Sequence, residues 1–138
     1  MVRDFIAHVV WAYFRQNPVG KVICEVDCRI NDHTDRRPDV SVFLGERASQ
    51  MDPNKIPISF APDIAVEVLS AFESAIGANR KVRDYMGAGS REVWVVDHVN
   101  CEFFVHSSNG IRLLLAADVL DSPLLPGFSV PVGDVFSR

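Results

Sequence analysis

The segment PDIAVEVLSAFESAIGANRKVRDYMGAGSREVWVVD, residues 62–97, decides the fold that the sequence predicts. It contains two short apolar runs, DIAVEVLS and REVWVVD, on either side of a stretch with helical character. Such a strand–helix–strand unit forms a right-handed crossover in which the two strands are parallel. Glu67 lies in the middle of the first apolar run. Because a buried carboxylate is costly unless it is paired or binds a metal, the rest of the sequence must supply a partner for Glu67.

The remaining elements follow from hydrophobic alternation and from Pro, Gly and polar turn residues. The predicted order is helix 3–16, strand 21–30, polar turn 31–37, strand 38–45, loop 46–62, strand 63–70, a helix from Ser70 or Ser74 to Met86, strand 91–97, a hairpin of CEFFVH and IRLLLA closed by SSNG, and a tail with a short strand and a last helical turn. A parallel unit combined with hairpins predicts an α/β (α+β) fold in which helices pack on one mixed sheet. The length of 138 residues predicts a single domain over residues 1–138.

Composition and charge narrow the classes of function. The net charge of −4 gives no overall basic field to attract nucleic acid, so any such binding needs a local patch. No apolar run approaches the roughly 20 residues of a membrane span. The apolar stretch 5–14 lacks the flanks of a signal peptide, and we therefore predict a cytoplasmic protein. Three cysteines without dense spacing argue against a disulfide framework, and no GxSxG, GxGxxG or Walker pattern occurs.

Two acidic residues are predicted to face the same side of neighbouring strands. Asp39 begins its strand on the face of Ser41, and Glu67 shares a face with Ala65. If the two strands are neighbours, both carboxylates project from one side of the sheet. Convergent carboxylates on adjacent strands suit Mg²⁺ or Mn²⁺, and such an ion can activate water and neutralise charge on a phosphate.

The helix after Glu67 carries the cationic candidate. Of its basic residues Arg80, Lys81 and Arg83, the lysine is best placed, because it lies four residues before Tyr85 on the side predicted to face the sheet. A cation over the sheet can hold an attacking water or stabilise a charged transition state. The helix therefore offers Glu67 a partner whether or not a metal binds.

Four blocks of the sequence resemble the Uma2 family of the PD-(D/E)xK restriction-endonuclease-like group: RRPDV, PDIAVEVLS, RKVRDYMGAGSREVWVVD and LLPGFSVPVGDVF. The resemblance implies a restriction-endonuclease-like mixed β-sheet flanked by helices and metal-dependent cleavage of nucleic acid phosphodiesters, with DNA as the expected substrate. It implies that Asp39 and Glu67 are Mg²⁺ (or Mn²⁺) ligands and that Lys81 lies near the attacked phosphate. The simplest pattern has its lysine two residues after the acid, where this sequence has Leu69, so Lys81 on the following helix takes that place.

Three further residues are accessory candidates, each with a structural role as the default. Asp63 opens the strand of Glu67, Tyr85 is predicted to face the core with its hydroxyl near the site, and Arg37 lies close to Asp39 in the sequence. Family members usually carry a preceding segment whose positions fall before Met1, so that segment is expected to be missing.

Two other functions stay open at this point. The chain can be a catalytically degenerate member that acts as a dimeric binding or scaffold module of the same fold. Alternatively, the acids and the lysine form a structural ion pair in an unrelated hydrolase. A homodimer is expected for the nuclease and for the scaffold module, because small enzymes of this group often pair and an exposed sheet edge can serve that contact.

Overall fold

The computed structural model describes residues 1–137. In chain order the elements are α1 (Val2–Gln16), β1 (Gly20–Cys24), β2 (Cys28–Asn31), β3 (Thr34–Arg36), β4 (Val40–Leu44), α2 (Gly45–Gln50), β5 (Ile64–Val68), α3 (Asn79–Gly87), β6 (Glu92–Asp97), β7 (Glu102–Ser107), β8 (Gly110–Leu114), β9 (Val119–Leu120), β10 (Val130–Pro131) and α4 (Val132–Phe136). The three cysteines are free thiols. No helix within residues 1–137 has the length and apolar character needed to cross a membrane.

Six strands form one mixed sheet in the order β1–β4–β5–β6–β7–β8. β5 and β6 are parallel, whereas the other neighbouring strands are antiparallel. The predicted strand–helix–strand crossover is therefore confirmed, with α3 between β5 and β6. The prediction of a mixed sheet with helices packed on it is confirmed as well.

Helices cover both faces of the sheet. On one face α1 packs Ile6 and Val10 against a cluster that includes Val66 of β5. On the other face Tyr85 of α3 packs with Ala65 of the same strand. Because neighbouring residues of β5 are buried on opposite faces, its sequence is apolar throughout rather than alternating, and a carboxylate within it is conspicuous.

The predicted strand 21–30 is wrong, because the chain breaks it between Cys24 and Cys28. The Glu25 N–H still donates to the Asp39 carbonyl oxygen at 3.2 Å, but the backbone of Glu25 is left-handed (φ 50°) and turns the chain away from β4. β2 then pairs with β3 in a separate two-stranded sheet, so the predicted polar turn 31–37 also contains a strand.

The helix predicted from Ser70 or Ser74 is also wrong in its start, because α3 begins at Asn79. The Ser74 Oγ accepts a hydrogen bond of 3.0 Å from the Gly77 N–H, which stabilises a local turn in competition with a helix. Glycine also disfavours the helix at that point. The predicted loop 46–62 holds most of the short helix α2.

Candidate active site

The ends of two neighbouring strands bring Asp39 and Glu67 together. β4 and β5 are antiparallel with Val40 opposite Val66, so the next pair outward in this register is Asp39 and Glu67. Residues opposite each other in an antiparallel pair project from the same face, here the face on which α3 packs. The Asp39 Oδ2 also accepts a 2.7 Å hydrogen bond from the Val68 N–H, which holds this carboxylate against the end of β5.

The helix α3 supplies both side chains that contact the Glu67 carboxylate. The Tyr85 hydroxyl donates a 2.6 Å hydrogen bond to Glu67 Oε1, and the Lys81 Nζ lies 3.9 Å from Glu67 Oε2. Lys81 and Tyr85 are four residues apart, so they share one face of the helix and meet the carboxylate from the same direction. The Glu67 side chain is only 9% exposed, so the tyrosine and the lysine are its partners in a nearly dry environment.

Lys81 also contacts a second acid that the sequence did not single out. Its Nζ lies 3.3 Å from Glu73 Oε2, closer than to Glu67. The other oxygen of Glu73 accepts a 3.0 Å hydrogen bond from the Ser70 N–H, which anchors Glu73 to the chain just after β5. Glu73 lies eight residues before Lys81 and outside α3, so no helical or strand spacing could have indicated the pair.

Burial dominates the electrostatics of the two carboxylates. Burial raises the pKa of Glu67, although the hydrogen bond from Tyr85 and the charge of Lys81 oppose that shift. Burial likewise raises the pKa of Asp39, against the hydrogen bond from the Val68 N–H and the charge of Lys81. The negative charge of Asp39 raises the pKa of Glu67 further. The neighbouring positive charge and hydrogen-bond donors therefore do not outweigh the cost of burying the two acids.

The donor set fits a hard divalent cation. Mg²⁺ is usually held by one or two carboxylates together with water and substrate phosphates rather than by a complete protein cage. Asp39 and Glu67 provide two such carboxylates on one face. Within the described part of the chain, no group of three or more His, Cys, Asp or Glu side chains could hold a metal, so the pair is the most that these residues offer at this site.

A cavity of about 420 Å³ lies beside Asp39. It is lined by the first residues of α1, by the end of β5 and by the side chains of Glu25 and His98. Arg3 closes one side with an ion pair to Glu25 at 2.6 Å. The cavity thus leaves space for a ligand beside Asp39.

Asp63 lies at the opposite end of β5 from Glu67. Its Oδ2 accepts a 2.7 Å hydrogen bond from the Leu44 N–H, and its Oδ1 lies 3.4 Å from both Arg47 and Arg91. These partners hold the start of β5 to the end of β4 and to the start of β6. The structure does not bring Asp63 to the other two acids.

The two arginines before Asp39 have partners of their own. Arg37 is exposed and pairs with Asp27 at 2.8 Å. Arg36 donates a 2.8 Å hydrogen bond from its Nε to Asp84 of α3 and thereby ties the β2–β3 sheet to that helix. Among the accessory candidates, only Tyr85 contacts the acids directly.

Comparison with known proteins agrees with the class that the fold suggests, the restriction-endonuclease-like proteins. The model of the Uma2 family, described as "Putative restriction endonuclease", matches residues 2–133, so the chain belongs to this family. The solved structure of a "putative nuclease belonging to DUF820" from Anabaena variabilis superimposes with a TM-score of 0.82 at 20% identity, over 99% of this chain and 78% of that chain. This likeness shows that the two proteins share a fold. No curated protein matched the sequence.

Proposed function

We propose that the protein is a Mg²⁺- or Mn²⁺-dependent endonuclease that hydrolyses phosphodiester bonds of nucleic acid, with DNA as its substrate. Restriction-endonuclease-like enzymes typically use divalent metals. In this proposal Asp39 and Glu67 hold the cation, and Lys81 lies beside the attacked phosphate. The three free cysteines are compatible with work in the reducing cytoplasm.

The observation that carries the proposal is the meeting of Asp39 and Glu67 at one end of β4 and β5, with the Lys81 Nζ 3.9 Å from Glu67. A bound divalent cation would supply Lewis acidity toward the phosphate and lower the pKa of water at the site. Asp39 and Glu67 would hold it through their carboxylate oxygens. Tyr85 holds Glu67 in one orientation through the 2.6 Å hydrogen bond, so the second carboxylate oxygen remains directed toward Lys81.

Lys81 contributes a mobile positive charge. The lysine lies between Glu67 and Glu73, and an incoming phosphate oxygen competes with Glu73 for its ammonium group. Charge that develops on the phosphate in the transition state is then met by a donor already in place. Because the lysine side chain is 35% exposed, it can reach the substrate without a change in the fold.

The test is cleavage of plasmid DNA and of labelled oligonucleotides with added Mg²⁺ or Mn²⁺. Asp39→Asn and Glu67→Gln keep the side-chain shape but remove the charge, and each is expected to lower cleavage by at least about 100-fold, since even the outer partners of a metal site contribute about 10- to 100-fold. Glu46→Gln, an exposed acid on α2, is the matched control and is expected to retain full activity. Undiminished cleavage in both site variants would reject the proposal.

A second candidate is a binding or scaffold module of the same fold without catalysis. It is favoured by the finding that residues 1–137 contain no cluster of three metal-ligating side chains. Calorimetric titration with Mg²⁺ and Mn²⁺ separates the two candidates. Binding that is lost in Glu67→Gln and kept in Glu46→Gln supports the nuclease, whereas no binding by the wild-type protein supports the module.

The homodimer remains part of this proposal. β8 is an edge strand of the sheet, and its Ile111 is 63% exposed. Exposed edge strands are surfaces on which a second copy can pair. Light scattering of the purified protein tests this, and a mass of one chain across the working concentration range would reject the dimer.

A further inference from the structure

The segment between β5 and α3 exposes large apolar side chains to solvent. Phe72 is fully exposed (101%) and Ile76 is 83% exposed, and Phe72 is the most exposed large hydrophobic residue in the described part of the chain. Neither side chain belongs to any of the hydrophobic clusters of the core. An aromatic ring that contributes nothing to the core is available for contact with another molecule.

Phe72 immediately precedes a residue that contacts the candidate active site. The following residue, Glu73, accepts a hydrogen bond from the Ser70 N–H and contacts the Lys81 ammonium group at 3.3 Å. Lys81 in turn lies 3.9 Å from Glu67. Phe72 is therefore one residue away in sequence from a contact to the site lysine.

The same segment carries the two arginines of residues 1–137 that have no partner. Within residues 1–137, Arg80 and Arg83 form no ion pair or hydrogen bond, and both are exposed. Every other arginine of these residues pairs with a carboxylate or, in the case of Arg15, stacks over Trp11. Arg80 and Arg83 are three residues apart and so share one face of α3. In a protein of net charge −4, this face is a local source of uncompensated positive charge.

An exposed aromatic ring and unpaired guanidinium groups within one segment of the chain are a combination that binds unpaired nucleic acid, since bases stack on the ring and the cations contact the backbone. We propose that the segment 70–83 receives the substrate of the proposed nuclease, that Phe72 stacks on a base, and that Arg80 and Arg83 contact phosphates. A base inside a duplex offers no free face to the ring. The preferred substrate is therefore a nucleic acid with unpaired or unstacked nucleotides next to the cleaved bond. This inference rests on the proposed function.

The test is the affinity of the full chain for fluorescein-labelled oligonucleotides, measured by anisotropy in EDTA so that cleavage plays no part. Phe72→Ala is expected to weaken binding of single-stranded DNA about 10-fold, and Phe72→Trp is expected to retain it. The tryptophan emission gained in Phe72→Trp, relative to the wild-type protein, should be quenched when the oligonucleotide binds. Val19→Ala, a change of an exposed apolar residue between α1 and β1, is the matched control and should bind as the wild type does.

The arginines are tested by the salt dependence of the same binding. Arg80→Ala and Arg83→Ala should each reduce the slope of log affinity against log salt by about 1. Arg15→Ala, at the C-terminal end of α1, should leave the slope unchanged.

The outcomes separate this inference from the proposed function. If the wild-type protein binds or cleaves nucleic acid and Phe72→Ala binds equally well, the inference is overturned while the nuclease stands. If Phe72→Ala instead changes the mass in light scattering without changing the affinity for oligonucleotides, the ring is a protein contact and the inference is again overturned. If the wild-type protein neither binds nor cleaves any oligonucleotide, both proposals fall together.

Discussion

The two ends of β5 carry acids that are similarly buried but differ in how well their negative charge is paired. Asp63 at the start of the strand is 5% exposed, and Glu67 near its end is 7% exposed. Asp63 accepts a hydrogen bond from a backbone N–H and pairs with two arginines from separate parts of the chain. Glu67 accepts one hydrogen bond, from the Tyr85 hydroxyl. The Lys81 ammonium group is 3.9 Å from Glu67 and lies closer to Glu73.

The difference separates a buried acid that stabilises the fold from a buried acid that is a candidate for function. Asp63 joins three strands, and its negative charge is met by two guanidinium groups in the folded protein. Glu67 has a pKa raised by burial, and a neighbouring acid, Asp39, raises it further. Ionisation of Glu67 therefore costs the folded protein stability, and a buried acid with a shifted pKa is a candidate for a functional role.

The largest expected effect compares isosteric changes at the two ends. Asp63→Asn removes the charge that two arginines and the Leu44 N–H depend on, and should lower the free energy of unfolding by about 2 kcal/mol. Glu67→Gln should leave it unchanged within about 0.5 kcal/mol or increase it, because Tyr85 can still donate to the amide oxygen and no buried charge remains. Urea unfolding at neutral pH measures both. An equal loss of stability in the two variants would contradict the proposed functional role of Glu67.

The surroundings of Glu67, unlike those of Asp63, could largely be predicted from the sequence. The alternation within single strands placed Asp39 and Glu67 on the same side of neighbouring strands, and the four-residue spacing of Lys81 and Tyr85 placed both on one face of a helix. These inferences depend only on the periods of strands and helices, which hold within one element.

Contacts between segments that are distant in the sequence could not be predicted from the periods of single elements. The partners of Asp63 come from α2 and from the residue before β6, so nothing near Asp63 in the sequence indicated its ion pairs. The break after Cys24 depends on a left-handed residue, Glu25, whose type does not favour that conformation. Glu73 contacts Lys81 from an irregular segment, where side-chain direction follows no period.

The next largest effect concerns the hydrogen bond that the Tyr85 hydroxyl donates to Glu67. Tyr85→Phe removes the hydroxyl and should raise the pKa of Glu67 above its already raised value. A carboxyl group whose pKa is raised in the folded state loses stability as the pH rises through that pKa. The variant should therefore be destabilised by about 1.5 kcal/mol at a pH above the folded-state pKa of Glu67, and the deficit should shrink as the pH falls toward the ordinary glutamate pKa of about 4.3.

Urea unfolding at a series of pH values measures this dependence. Tyr13→Phe is the matched control, because the Tyr13 hydroxyl donates a 2.7 Å hydrogen bond to the neutral carbonyl oxygen of Pro126. Its cost should not vary with pH. A constant deficit in Tyr85→Phe would mean that the hydroxyl stabilises packing rather than the ionised form of Glu67.

The smallest expected effect concerns the lysine that two acids share. Lys81 and Glu73 are 35% and 38% exposed, so their pair should contribute less than about 0.5 kcal/mol to stability. Glu73→Gln should still change the site, because the charge of Glu73 raises the pKa of Glu67 and draws the lysine away from it. The variant should therefore lower the pKa of Glu67, which a carbon-detected NMR titration of its carboxyl group measures, while Glu46→Gln leaves it unchanged. If the Glu67 titration does not move, Glu73 does not compete for Lys81, and the two ends of β5 differ less than their contacts suggest.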